Sequence, residues 1–201
     1  MGRVTAIESI RSDQDALLRT LARVARALRG AEVPFAVTGG CAVYARGGPA
    51  TEHDLDLLVR ESDVPAAVSA LVAGGMRACE AAEDWLTKVY DGDRLVDLLF
   101  RPNERPVDDE MLARTDEMRV GGTLVPVQHA TDVLTQKLLT LSEHRCDFSL
   151  LLTIARALRE QVDWVRLGEQ TATSPYAEAF LMLVARLNIA SGDGLPEGSG
   201  T

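Results

Sequence analysis

The chain has 201 residues, of which 46% are hydrophobic and 25% charged, and a formal net charge of −9. Such a globular composition can bury roughly 70% of its extended surface, while the acidic balance argues against sequence-independent coating of nucleic acid. No run approaches the roughly 18 apolar residues of a membrane span, MGRVTAIESIRSDQD lacks a signal-peptide core, and three widely spaced cysteines make no disulfide framework, so a cytoplasmic location without membrane contact is expected.

Residues 14–29 read as a first helix ended by Gly30, with Leu17, Leu21, Val24 and Leu28 as an apolar seam. Arg19, Arg23 and Arg26 line another face, which reads as a solvated surface and is the one local hint of a polyanion contact. VPFAVTGG is a short strand over about 34–38 that runs into a diglycine. CAVYARG then forms a short helix, and HDLDLLV a strand. Ser62 is expected to cap the helix of SDVPAAVSALVAGG, which Gly74 and Gly75 end. WLTKVY and RLVDLLF flank Asp91-Gly92-Asp93, a strong hairpin signal. RPVDDEMLAR holds a short helix, and MRVGGTLVPV a second hairpin with Gly121 and Gly122 at its tip.

From about Ala130 the apolar period becomes helical. ATDVLTQKLLTLSEH, CDFSLLLTIARALRE and SPYAEAFLMLVARLNIA read as three helices, the last capped by Ser174 with Pro175 in its first turn. SGDGLPEGSGT has the composition of a disordered tail. The expected class is α+β: a mixed sheet flanked by helices over residues 1–128, a helical region over 129–190, and the tail over 191–201.

The chemistry concentrates in TEHDLDLLV. Side chains two apart on a strand share a face at about 6.5–7 Å, so Asp54 and Asp56 project together while Leu55 and Leu57 face the core. Two unpaired carboxylates at that distance repel by about 2–3 kcal/mol at an effective dielectric of 20. Water, a basic partner or a cation must offset this. Asp97, the lone charge within the apolar run of RLVDLLF, needs a partner for the same reason. Three aspartates on strands of one sheet, all oxygen donors, suit a hard divalent cation such as Mg²⁺. Thr38-Gly39-Gly40, between a strand and a short helix, lets backbone approach a ligand closely and offers N–H groups to a phosphate.

The run GGCAVYARGGPATEHDLDLLV, with Asp97 in VDLLF, resembles the nucleotidyltransferase superfamily, whose fold is that of DNA polymerase beta's catalytic domain. That resemblance implies that Gly39 and Gly40 hold the triphosphate of a nucleoside triphosphate. It implies that Asp54 and Asp56 bind two Mg²⁺ ions, and that Asp97 completes the metal site and helps deprotonate an attacking hydroxyl. The helical half is similar to small bacterial antibiotic-modifying and toxin-type members. By that likeness Lys137 contacts nucleotide phosphate and Asp147 lines the same cleft. The second glycine departs from the serine of larger members, removing a hydroxyl near the phosphates.

The implied reaction moves a nucleoside monophosphate onto a hydroxyl acceptor (small molecule, tRNA end or protein side chain) with release of pyrophosphate. A cognate antitoxin is the partner expected of a toxin-type member. The alternative is a catalytically silent module that binds a nucleotide or a partner, against which stands the retention of all three acids. Of the remaining candidates, His53 alternates to the opposite face, and Cys41 reads as a small buried thiol. His129, His144 and Cys146 lack zinc-ligand spacing. Lys88 and Tyr90 stand on the strand before the first hairpin, within reach of the cleft, with nothing in the sequence to fix their role.

Overall fold

The computed structural model describes residues 2–51, 54–80 and 82–190, with residues 2–12 described in backbone only. His53, read above as alternating to the face opposite the acids, and the segment 191–201, read as a disordered tail, lie outside the described residues. The contacts divide the chain into two compact units: residues 1–45 with 50–128, and residues 129–201 with 46–49.

The first unit is built on a seven-stranded mixed sheet. Its strands are β1 (Ala36–Val37), β2 (Leu55–Leu58), β3 (Arg77–Cys79), β4 (Leu86–Asp91), β5 (Arg94–Leu99), β6 (Thr115–Val120) and β7 (Thr123–Gln128). They run in the order β3-β4-β5-β2-β1-β7-β6. The two hairpins lie where their glycines placed them. Asp91 faces Arg94 across Gly92-Asp93, with Gly92 at φ 63°. Val120 faces Thr123 across Gly121 and Gly122, at φ 55° and 90°. Positive φ at these positions matches the turn to the twist of its strands and is open to glycine without a Cβ clash.

Helix α1 (Gly2–Gly30) is far longer than the expected 14–29. Ile7 and Ile10 continue the spacing of the seam towards the N-terminus, so nothing in the pattern stops the helix at residue 14. Leu17, Leu21, Val24 and Leu28 are all buried, and α1 packs against β2, β7 and helix α3 (Val64–Ala73). The arginine stripe is not one solvated face. Arg23 is tied to the Asp91 carboxylate and donates to the Gly74 carbonyl at 2.9 Å, while Thr20 donates to Asp91 at 2.8 Å. One nearly buried carboxylate thereby fastens the first helix to the tip of the β4–β5 hairpin.

Ser62 does not cap α3. A 3₁₀ turn over Glu61–Asp63 intervenes and Asp63 takes the N-cap position, without capping through its side chain. The reason is competition: the Asp63 carboxylate accepts from Arg60 at 2.6 Å. Helix α2 (Gly39–Ala45) follows β1 directly, and helix α4 (Asp109–Ala113) is capped by the Asp108 side chain.

The helical unit contains four helices among the described residues, not the three expected: α5 (Ala130–Leu139), α6 (Ser149–Leu158), α7 (Trp164–Thr171) and α8 (Pro175–Arg186). The extra one, α7, is only eight residues long, buries only Leu167 and Thr171 and carries Gly168 at its centre, so it is a short segment with little intrinsic helical preference. Asp163 starts it by accepting from the Arg166 N–H at 3.1 Å. Phe180 on α8 is fully buried and meets Phe148 edge-on at 5.5 Å. No described helix is long and apolar enough to cross a membrane.

Asp91→Ala should lower unfolding stability by about 1–2 kcal/mol, because it removes hydrogen bonds from Thr20 and Arg23 at once. Urea unfolding checks this, and a change below a few tenths would show the staple to be idle.

Candidate active site

The site starts from the pairing of two strands. β2 and β5 run parallel with Leu55 against Val96, Asp56 against Asp97 and Leu57 against Leu98. Leu55, Val96, Leu57 and Leu98 are all fully buried, so the core fixes the register. The alternate residues, Asp56 and Asp97, are therefore carried side by side on the opposite face. Asp54 lies one residue before β2 and is exposed. It projects from the approach to the strand, where the sequence reading had placed it within the strand.

The glycines close the other side. Thr38 donates its backbone N–H to the Asp56 carbonyl at 3.0 Å and its hydroxyl to Gln128 Oε1 at 2.6 Å, which pins the end of β1 between β2 and β7. Its own carbonyl accepts from Ala42 N–H at 3.1 Å and so opens α2. Gly39 has φ 60°, and a Cβ built there would lie 1.8 Å from Asp56 Oδ2. A Cβ on Gly40 would lie 2.6 Å from Thr51 Oγ1. Both glycines are required by close approach, the first by backbone conformation as well. The diglycine and the acids are one structure, in which the Asp56 carboxylate rests against the Gly39 backbone.

Electrostatics follow from this crowding. Asp97 Oδ1 is a buried side-chain oxygen without a hydrogen-bond partner among the described residues. Burial first, then the charges of Asp56 and Asp54, push the Asp97 carboxyl from 3.8 to about 6, against a smaller opposing effect of Lys88. Burial and the nearby Asp56 also push the Cys41 thiol up to about 12. It is a protonated core residue at neutral pH, in keeping with its reading as a small buried thiol.

Lys137 sits in the last turn of α5, half-buried. Asp147 is exposed, and its Oδ1 accepts from Ser149 N–H at 2.8 Å, which holds its carboxyl below the ordinary range. Both belong to the helical unit, and neither is in the unit that carries the three acids. Tyr90 is covered by the Arg77 guanidinium at 4.8 Å. Lys88, whose role the sequence left open, stands directly across from Asp97 and is bound by Glu83, a residue with no signal in the sequence pattern.

Among the described residues, no three acids, cysteines or histidines close to metal-holding distance. Like-charged carboxylates do not close up on their own account. The residues nevertheless fit a hard cation: the donors are all oxygen, one of them is buried and unpartnered, and the acids repel where a cation would relieve them.

Two glycines after a short strand, set against in-register carboxylates on a mixed sheet, are the plan of a nucleotidyltransferase. The chain belongs to the uncharacterised nucleotidyltransferase family, whose pattern matches residues 5–191. Its fold is similar to the solution structure of the antibiotic-resistance factor ANT(2'')-Ia (TM-score 0.58, 17% identity, 85% of this chain and 94% of that one). It is also similar to the crystal structure of ANT(2'')-Ia in complex with adenylyl-2''-tobramycin (0.57, 17%, 81% and 95%). A third similar structure is the lincomycin-bound lincosamide antibiotic adenylyltransferase LnuA (0.50, 12%, 68% and 92%). At such identities the likeness is one of fold. No curated protein matches the chain.

Because the folded protein holds the Asp97 proton up to about pH 6 and the unfolded chain releases it near 3.8, folding binds more protons between those values. The resulting destabilisation is absent below the lower value and complete above the upper one. Asp97→Asn should therefore be as stable as the parent near pH 4 and progressively more stable as the pH rises to 7, measured by thermal unfolding in chelator. A difference independent of pH would refute the crowding.

Proposed function

We propose that this nucleotidyltransferase moves a nucleoside monophosphate from a nucleoside triphosphate to a hydroxyl of a small acceptor, with Mg²⁺ and with release of pyrophosphate. The observation that carries this reading is the in-register pair Asp56–Asp97 lying against Gly39, with Asp97 Oδ1 buried and unpartnered. Asp54, Asp56 and Asp97 would hold the cation. When bound, two such ions supply neutralisation of the triphosphate and acidification of the attacking hydroxyl.

The chain's own groups do the rest. Gly39 and Gly40, with no side chains, let the triphosphate come against the backbone. Asp97 helps to take the proton of the acceptor hydroxyl as the hydroxyl oxygen bonds to the α-phosphorus. The bond from that phosphorus to the bridging oxygen breaks, and pyrophosphate leaves with the electron pair. Support for a small-molecule acceptor comes from fold relatives whose structures hold an adenylylated small molecule and lincomycin. The acidic net charge of this chain also suits a neutral or cationic acceptor better than a polyanion.

Asp56→Asn should cut transfer at least about a thousandfold while leaving the unfolding midpoint unchanged or raised, since a repelling charge is removed. The assay supplies α-labelled nucleoside triphosphates, Mg²⁺ and a panel of hydroxylated antibiotics, and follows label on the acceptor. Retention of a tenth of the parent activity would remove Asp56 from the mechanism. Gly39→Ala should be comparably inactive, because its Cβ needs the space that Asp56 Oδ2 fills.

A further inference from the structure

The sheet carries more than acids along the line of the site. Asp56 pairs with Asp97 across β2 and β5, and Asp97 pairs with Lys88 across β5 and β4. Since Thr38 N–H bonds the Asp56 carbonyl, one transverse row crosses four neighbouring segments in the order Lys88, Asp97, Asp56, Thr38. Residues directly opposite on paired strands share a face with Cβ atoms about 4.5–5.5 Å apart. Lys88 thus flanks the acids on one side, and the glycines flank them on the other.

We propose that Lys88 is the resident counter-charge of this acid row, and that its pairing with Glu83 sets how tightly the site takes a divalent cation. The inference rests on the metal-dependent reading of Asp54, Asp56 and Asp97 given above. Lys88 Nζ donates to both oxygens of Glu83, at 2.9 and 3.1 Å, with the lysine side chain 24% exposed and the glutamate 36%. The ammonium therefore has two anionic neighbours, Glu83 on its own side and Asp97 across the ladder. Its charge acts on Asp97 in the sense opposite to Asp56 and Asp54. The bond to Glu83, and then the charges of Glu83 and Asp97, hold Lys88 protonated.

A fixed positive charge beside the acids does two things. It offsets part of their repulsion in the absence of a bound ion, and it opposes entry of another cation. Glu83 works the other way, holding the ammonium away from Asp97 and neutralising it. The pair is a balance: removing the lysine strengthens cation binding, and removing the glutamate's charge weakens it.

The test is calorimetric titration of the full chain with Mn²⁺ alone, without nucleotide, on the parent, Lys88→Met, Lys88→Arg, Glu83→Gln and Asp56→Asn. Lys88→Met should bind Mn²⁺ about five- to tenfold more tightly, Glu83→Gln several-fold more weakly, and Lys88→Arg close to the parent. Thermal unfolding in chelator should show Lys88→Met less stable than the parent, with the difference removed by saturating Mn²⁺. Equal Mn²⁺ affinity in Lys88→Met and the parent, with binding still abolished by Asp56→Asn, would overturn the counter-charge role and leave the transferase reading standing. Failure of the parent itself to bind Mn²⁺ through Asp56 would overturn both. Should Lys88→Met not fold, the direction of the Glu83→Gln shift decides alone: tighter or unchanged binding refutes the proposal.

Discussion

Parallel pairing of β2 with β5 places Asp56 and Asp97 on the same face of adjacent strands, and nothing in the side chains themselves favours that meeting. Two carboxylates brought together, one with a buried oxygen that has no partner among the described residues, cost stability. The register is imposed from the other face, where Leu55, Leu57, Val96 and Leu98 are excluded from water completely. A slip of β2 by one residue would turn Asp56 into the core and carry Leu55 and Leu57 to the face of the acids. Hydrophobic burial thus holds a pair of charges in a position they would not choose.

The rest of the first unit serves that arrangement. β1 is only two residues long, yet it pairs with β2 on one side and β7 on the other, and Thr38 fastens its end to both. This shortness makes room for α2 to begin where Asp56 projects, and Gly39 is the residue on which the two meet. At the opposite side of the unit, Asp91 draws Thr20, Arg23 and the end of α3 to the tip of the β4–β5 hairpin. The same hairpin carries Asp97 and Lys88, so its anchorage bears on the acid row as well as on the fold.

The parts of this design that the sequence made legible were those with a single physical cause. Gly92, Gly121 and Gly122 marked hairpins because those turns need positive φ. Asp56 and Asp97 stood out because acids inside apolar runs demand an explanation, and Leu17 to Leu28 because a buried seam must recur at helical spacing. What escaped notice depended on competition or on weak pattern. Ser62 looked like a cap, but the chain inserts a 3₁₀ turn and spends Asp63 on Arg60. β3 is a three-residue edge strand with two exposed residues, so it has no alternation to detect and exists because β4 offers it a ladder. α7 buries two side chains and interrupts itself with a glycine.

Glu83 and Lys88 show the same limit at the site. Lys88 was visible as a polar residue on a strand, but its relation to Asp97 is a property of antiparallel register and not of spacing along the chain. A lysine on an isolated hairpin would be an ordinary solvated side chain. Placed across from an acid whose own neighbour is another acid, it becomes a positive charge beside a row of negative ones, and Glu83 then limits how much of that charge the row receives. Such a site does not need its acids to be individually unusual. Two ladders suffice, one bringing Asp97 to Asp56 and the other bringing Lys88 to Asp97, and the electrostatic character of the whole follows from where those ladders are in register.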